Sequence, residues 1–262
     1  MMQSLSIGAT GMLSQQLNVD VISNNISNMT TTGFKRRRAE FQDLLYRNLR
    51  RPGATSSSIG TIVPSGIQIG AGVKTASVNR LHEQGSMEVT NNNLDLAING
   101  RGFFQIQRPD GETAYTRAGS FQLNPDGDIV TGDGYLVEPN ITVPEDAIDI
   151  SVNENGEVFV KLDGQIEPQN VGQLQLVSFA NPAGLEAIGQ NLLLETPASG
   201  DPTTGNPGDD GFGRIEQGTL ELSNVDIVSE ITRMITAQRA YEMNSKVIQT
   251  SDEMLGEIAR MS

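Results

Sequence analysis

One histidine stands in the chain, His82, in the run Arg80-Leu81-His82-Glu83. Imidazole titrates nearest neutrality, so His82 is the first place to look for acid–base chemistry. That chemistry needs a partner, and no serine or cysteine nucleophile motif accompanies it. Gly8-Ala9-Thr10-Gly11 and Gly211-Phe212-Gly213 lack the glycine spacing and the Lys-Ser/Thr ending of a phosphate loop. Asn153-Glu154-Asn155-Gly156 carries part of a calcium-loop pattern, but the later glutamate is out of place and a hairpin turn explains it better. Asp209-Asp210 reads as a solvated loop rather than a cation site. Without cysteine there is no thiol nucleophile, thiolate zinc site or disulfide. No acid, base and nucleophile converge, so the residues point away from an enzyme and imply no metal and no cofactor.

The more informative pattern is longer. From Asn224 to Leu255 there is neither Gly nor Pro, which predicts an unbroken helix of roughly 50 Å. Ser223 and Asp226 have the spacing of a capping box, with Leu222 and Ile227 placed as its hydrophobic staple. Ile227, Ile231, Met234, Gln238, Tyr241, Ser245, Ile248, Asp252 and Leu255 step by fours and threes. This is the 3.5-residue repeat of a coiled-coil seam with polar interruptions. A helix this long and this polar elsewhere needs a partner along its length.

A second helix is predicted over 4–30, where Leu5, Met12, Val19, Ile22, Ile26 and Met29 form an apolar stripe widened by Leu13 and Leu17. Gly8 and Gly11 weaken it by about 1 kcal/mol each relative to alanine. The Asn- and Ser-rich stretch 18–28 weakens it further. This helix therefore also depends on a partner, and pairing of the two terminal helices satisfies both. The run Phe34-Lys35-Arg36-Arg37-Arg38 reads as a basic turn facing the acidic surfaces of neighbouring copies.

Between the helices lie two further segments. Residues 48–74 carry Pro52, Gly53, Gly60, Pro64, Gly66, Gly70 and Gly72, which excludes helix and predicts an extended arm or loose hairpin. From 75 to 220, Asp110-Gly111, Asp126-Gly127, Asp133-Gly134, Asn155-Gly156 and Asp163-Gly164 are hairpin-turn signals between short alternating runs. They predict an antiparallel β domain, with 197–213 as an exposed loop. The organisation is α+β: 1–47 helix and turn, 48–74 arm, 75–220 β domain, 221–262 helix.

Composition narrows the function classes. A net charge of −14 argues against a nucleic-acid protein. The charge is uneven. Residues 1–51 hold seven bases and three acids, whereas 118–213 hold Lys161 and 16 acids. The C-terminal helix segment is net negative, which suits pairing with the N-terminal one. No apolar run approaches the roughly 18 residues of a membrane helix, and Met1 to Ser14 does not read as a secretory signal peptide.

Several stretches resemble the bacterial flagellar rod and hook proteins. They are Ser23-Asn24-Asn25-Ile26-Ser27-Asn28-Met29 through Gly33-Phe34-Lys35, then Asp95-Leu96-Ala97-Ile98-Asn99-Gly100-Arg101-Gly102-Phe103-Phe104, and Tyr115-Thr116-Arg117-Ala118-Gly119-Ser120-Phe121. Ser223-Asn224-Val225-Asp226, Met234-Ile235 and Gln238-Arg239-Ala240-Tyr241-Glu242 complete them. The arm, Val63-Pro64-Ser65-Gly66-Ile67-Gln68-Ile69-Gly70, is most similar to the distal-rod members, and the length leaves no room for a hook subunit's further domain.

The resemblance implies a structural subunit exported unfolded by the flagellar type III apparatus. It implies self-assembly, with a rod cap assisting, into a rigid hollow helical drive shaft of the basal body. That shaft would stand between proximal rod proteins and the hook protein, inside the P and L rings, spanning periplasm to outer membrane without membrane insertion. The residues then expected at subunit contacts are Leu5, Met12, Val19, Asn24, Asn25, Ile26, Gly33, Phe34, Pro52, Pro64, Gly66, Ile227, Ile231, Met234, Gln238, Tyr241, Ile248 and Leu255. The residues themselves leave a second reading open: a soluble binding module, an acidic β domain on a helical dimerisation stalk. It predicts a closed dimer and a concave pocket in 75–220.

Overall fold

The computed structural model describes residues 2–53, 65–165 and 167–261. They form two compact units, one of 1–26, 37–79 and 226–262, the other of 27–36 and 80–225.

The first unit joins the two ends of the sequence. Its helices are α1, Met2–Ser27, and α2, Ile227–Met261. Ser251 Oγ donates to Ser4 Oγ at 3.2 Å, and Asn25 Nδ2 donates to Glu230 Oε2 at 3.0 Å. Partners fall along α2 as they rise along α1, so the helices pair antiparallel. Close approach is possible because α1 carries glycines at the crossing. A Cβ on Gly8 would stand 2.9 Å from Ile248 Cγ1, and one on Gly11 2.8 Å from Asn244 Nδ2. Glycines that lower helix propensity are thus the positions that let the backbones meet.

The start of α2 differs from the sequence expectation. Asp226 is the cap itself: its Oδ1 accepts the N–H of Val228 and its carbonyl accepts that of Glu230. Ser223, expected to cap, has a buried Oγ with no hydrogen-bond partner among the described residues. The helix begins later because Asp226, not Ser223, is the cap and accepts the free N–H of Val228. α2 also continues through Gly256.

The same unit holds four strands, β1 (Arg37–Asp43), β2 (Tyr46–Arg50), β3 (Ile67–Gly70) and β4 (Val73–Arg80). β1 pairs with β4, and β2 pairs antiparallel with β3 in the register Tyr46↔Gly70. The basic run read as a turn thus enters a strand at Arg37. The arm expected from 48 to 74 contributes the β2–β3 hairpin; its centre, 54–64 with Pro64, lies outside the described residues.

The second unit is antiparallel β. One sheet runs in the order 186–189, 192–194, 113–116, 103–107, 136–138, 129–131, 121–123, with 176–178 pairing 103–107 and 203–205. Another holds 147–152, 157–162 and 169–173. All five predicted Asx-Gly turns join adjacent paired strands, and each glycine has φ between 79° and 85°. L-residues avoid that region, so local sterics fix these turns. The core gathers Leu96, Ile98, Phe104, Ile106, Phe121 and Ile215, with Phe104 and Phe121 edge to face at 5.1 Å.

Candidate assembly surfaces

Within the first unit, the helix pair buries a polar row. Glu230, Ala237 and Ser251 are buried on α2, and Asn244 and Ile248 face the glycines of α1. The positions read from the sequence therefore divide. Ile248 stands on this intrachain seam, and Met234 and Leu255 are half-buried. Ile227, Ile231, Gln238 and Tyr241 are exposed, Ile231 to 46%.

Much of α2's apolar surface points away from α1. Val228 is 74% exposed, and Ile231, Ile235, Met243, Val247, Met254 and Ile258 are also open. They step by threes, fours and their sums, a stripe that winds slowly around the helix. On α1, Leu13 is 68% exposed, while Leu5, Met12, Val19 and Ile26 are half-buried.

Asn25 locks the turn from α1 into β1. Its Oδ1 accepts the Arg37 N–H and its Nδ2 donates to the Arg37 carbonyl, both at 2.8 Å. The same Nδ2 reaches Glu230. Asn24, beside it, is exposed.

The second unit is tied by a buried ion cluster that no local motif announces. Glu221 has a fully buried side chain. Its Oε1 accepts Lys35 Nζ at 2.6 Å and the Gly85 N–H at 2.9 Å; its Oε2 accepts Arg117 Nε at 2.6 Å. Lys35 also donates to the Glu83 carbonyl, and Arg117 to the carbonyls of Ile98, Gly100 and Gly102. Burial by itself raises the Glu221 pKa, but Arg117 and Lys35 outweigh it and hold the carboxyl below its ordinary value. Burial likewise lowers the Lys35 pKa against the pull of Glu221. Lys35, expected on a surface facing neighbouring copies, is instead an internal tie. The turn before it fits closely: Gly33 has φ 69°, its N–H donates to the Glu221 carbonyl, and a Cβ there would stand 2.7 Å from Ala118 N. Phe34 is half-buried.

In the hairpin, Pro52 is exposed and Gly66 is half-buried; a Cβ on Gly66 would collide with the Arg50 carbonyl. Among the described residues no group of three or more His, Asp or Glu is placed to hold a metal. No described helix is long and apolar enough to cross a membrane.

Comparison with known proteins covers most of the chain. Residues 5–35 match the family model described as flagella basal body rod protein. Residues 97–160 match the flagellar hook protein FlgE/F/G D1 domain, and 216–261 the flagellar basal body rod FlgEFG protein C-terminal. The flagellar basal-body rod protein FlgG of Caulobacter vibrioides is 62% identical over 97% of each chain. That of Agrobacterium fabrum is 51% identical over 99% of each, and that of Bacillus subtilis 42% identical over 100% of this chain and 99% of its own.

Proposed function

Since the chain belongs to the flagellar basal-body rod protein family and is most like its FlgG members, we propose that it works as a distal-rod subunit whose terminal helices build the polymer. The observation that carries this is the open apolar stripe of α2. α1 already occupies one side of α2, so a second apolar side requires further copies. Each half-exposed isoleucine covered on assembly contributes about 1 kcal/mol. A head-to-tail contact that does not close on itself extends these contacts into a helical tube.

In this reading Ile227, Ile231, Gln238 and Tyr241 lie at contacts between copies, and Asn25, Gly33 and Ile248 shape the subunit. The β2–β3 hairpin, with Leu45, Tyr46, Leu49 and Ile67 exposed, braces neighbours and stiffens the tube. The polymer is a hollow shaft that passes torque from motor to hook. It meets proximal rod and hook proteins at its ends and the P and L rings around it. Subunits reach its tip unfolded through the type III apparatus, and their terminal helices order on assembly.

The test is Ile231→Asp, read by electron microscopy of rods and by circular dichroism of the soluble chain. A charge placed in a covered apolar contact is costly. Assembly is expected to be lost while the β signal stays. Rods of normal yield from this variant would refute the assignment of the α2 stripe.

A further inference from the structure

His82 lines a pocket of about 320 Å³ in the second unit, with Lys35, Arg101, Phe103, Arg117, Phe179 and Pro182. One wall is aromatic. The His82 ring meets Phe103 edge to face at 5.8 Å, and Phe103 meets Phe179 at 6.0 Å. The other wall is cationic. Lys35 and Arg117 bring two charges against the one carboxylate of Glu221, an excess of one positive charge in a buried cluster. Arg101 is exposed, and its guanidinium makes no hydrogen bond or ion pair among the described residues. The charges acting on the imidazole are those of Arg80, Lys35 and Arg117, all cationic. Nε2 of the ring is shielded from solvent and has no hydrogen-bond partner among the described residues.

Uncompensated positive charge is costly inside a protein. One ligand chemistry relieves it. We propose that this pocket binds a carboxylate carried on a short apolar stem. The carboxylate takes the excess positive charge, and the stem lies against Phe103 and Phe179. The volume has room for a few heavy atoms, at about 30 Å³ for a water molecule. The anion's charge beside the ring favours the protonated imidazole, so binding raises the His82 pKa. The stem distinguishes this ligand from inorganic phosphate. It fits a free short-chain carboxylate, or the glutamate side chain of a second copy of this acidic chain.

The single histidine makes its ring proton resonance a reporter of this pocket alone. The full chain is titrated with propionate, with propionamide and inorganic phosphate as comparisons. Propionate is expected to shift the resonance saturably, with half-saturation at about 1–10 mM. It should raise the His82 titration midpoint. Arg101→Gln, a change at an exposed side chain, should weaken binding by about three- to tenfold without moving the free resonance. A dilution series of the protein alone separates the sources. A resonance that moves with concentration and then ignores propionate assigns the carboxylate to a second copy. A resonance independent of concentration assigns it to a free carboxylate, and that arm needs no polymer. Where the resonance does not move with protein concentration, no saturable shift, an equal shift with propionamide, tighter binding of phosphate, or an unmoved midpoint would overturn the proposal.

Discussion

Asn25 and Glu230 stand at opposite ends of the chain, yet Asn25 Nδ2 donates to Glu230 Oε2 at 3.0 Å while the same side chain brackets the Arg37 backbone. One amide thus joins α1, β1 and α2. Both side chains are buried, with Glu230 fully covered. A buried network of this kind is costly to leave half-satisfied.

Asn25→Ala should therefore destabilise the first unit by about 2–4 kcal/mol, since it strands the N–H and carbonyl of Arg37 that the side chain brackets. Asn25→Asp should cost at least as much, because it sets two carboxyl groups together. Thermal loss of the helical circular dichroism signal measures both. An unchanged midpoint for Asn25→Ala would show that the bracket holds nothing.

The two helix glycines should respond differently to alanine. Each gains about 1 kcal/mol of helix propensity. At Gly8 the new Cβ meets Ile248 Cγ1, close to the backbone of a packed branched side chain, and overpacking of about 1–3 kcal/mol should win. At Gly11 it meets the outer atoms of Asn244, which can swing aside, so the gain should survive. Thermal melts that rank Gly8→Ala above Gly11→Ala would contradict the packing of this helix pair.

Acid should loosen the second unit through Glu221. Its folded pKa is below the ordinary value, so its contribution is complete above the unfolded pKa. That contribution is lost as pH falls through the folded one. Glu221→Gln keeps the shape but leaves Lys35 and Arg117 facing each other unpaired, at a cost of about 3–5 kcal/mol. Denaturant unfolding at several pH values should find this variant weaker at neutrality and less sensitive to acid than the parent.

His82 adds a separate pH window. Burial first, then the charges of Arg80 and Lys35, push its pKa down to about 4. The unfolded ring titrates near 6.5. Between those values the unfolded chain binds the proton and the folded chain does not, so stability is lost as pH drops through this window, by up to about 3 kcal/mol. Above 6.5 and below 4 this residue adds no slope. In His82→Gln the slope in that window should vanish. A parent chain whose stability is flat from pH 6.5 to 5 would contradict the burial of this imidazole.

Local physics made much of the fold legible. The five Asx-Gly turns were readable because only glycine takes a positive φ cheaply, whatever lies around it. The long breaker-free run announced α2, and the apolar stripe of α1 announced a partnered helix. Harder to read was the face on which the helices meet. The positions that α2 turns towards α1, Glu230, Ala237, Asn244 and Ser251, include only one small apolar residue, so the period drew attention to Ile231, Gln238 and Tyr241, which lie open. Ser223 was read as a cap because it has a capping residue's type, but Asp226 takes the free N–H of Val228 in its place.

The amino-acid order by itself determined the elements, their sequence along the chain and the class of protein, because propensities, turn chemistry and family motifs act over short spans. Only the tertiary structure decided which polar groups would be buried together. Lys35, Arg117 and Glu221 are scattered along the chain and each reads as a surface charge. They become one internal cluster because three separate backbone segments must meet there. Along the chain His82 shows only its charged neighbours, and the ring of Phe103 and the more distant cations Lys35 and Arg117 come to it through the fold. Burial and charge environment are sums over neighbours distant in sequence, and no window along the chain contains them.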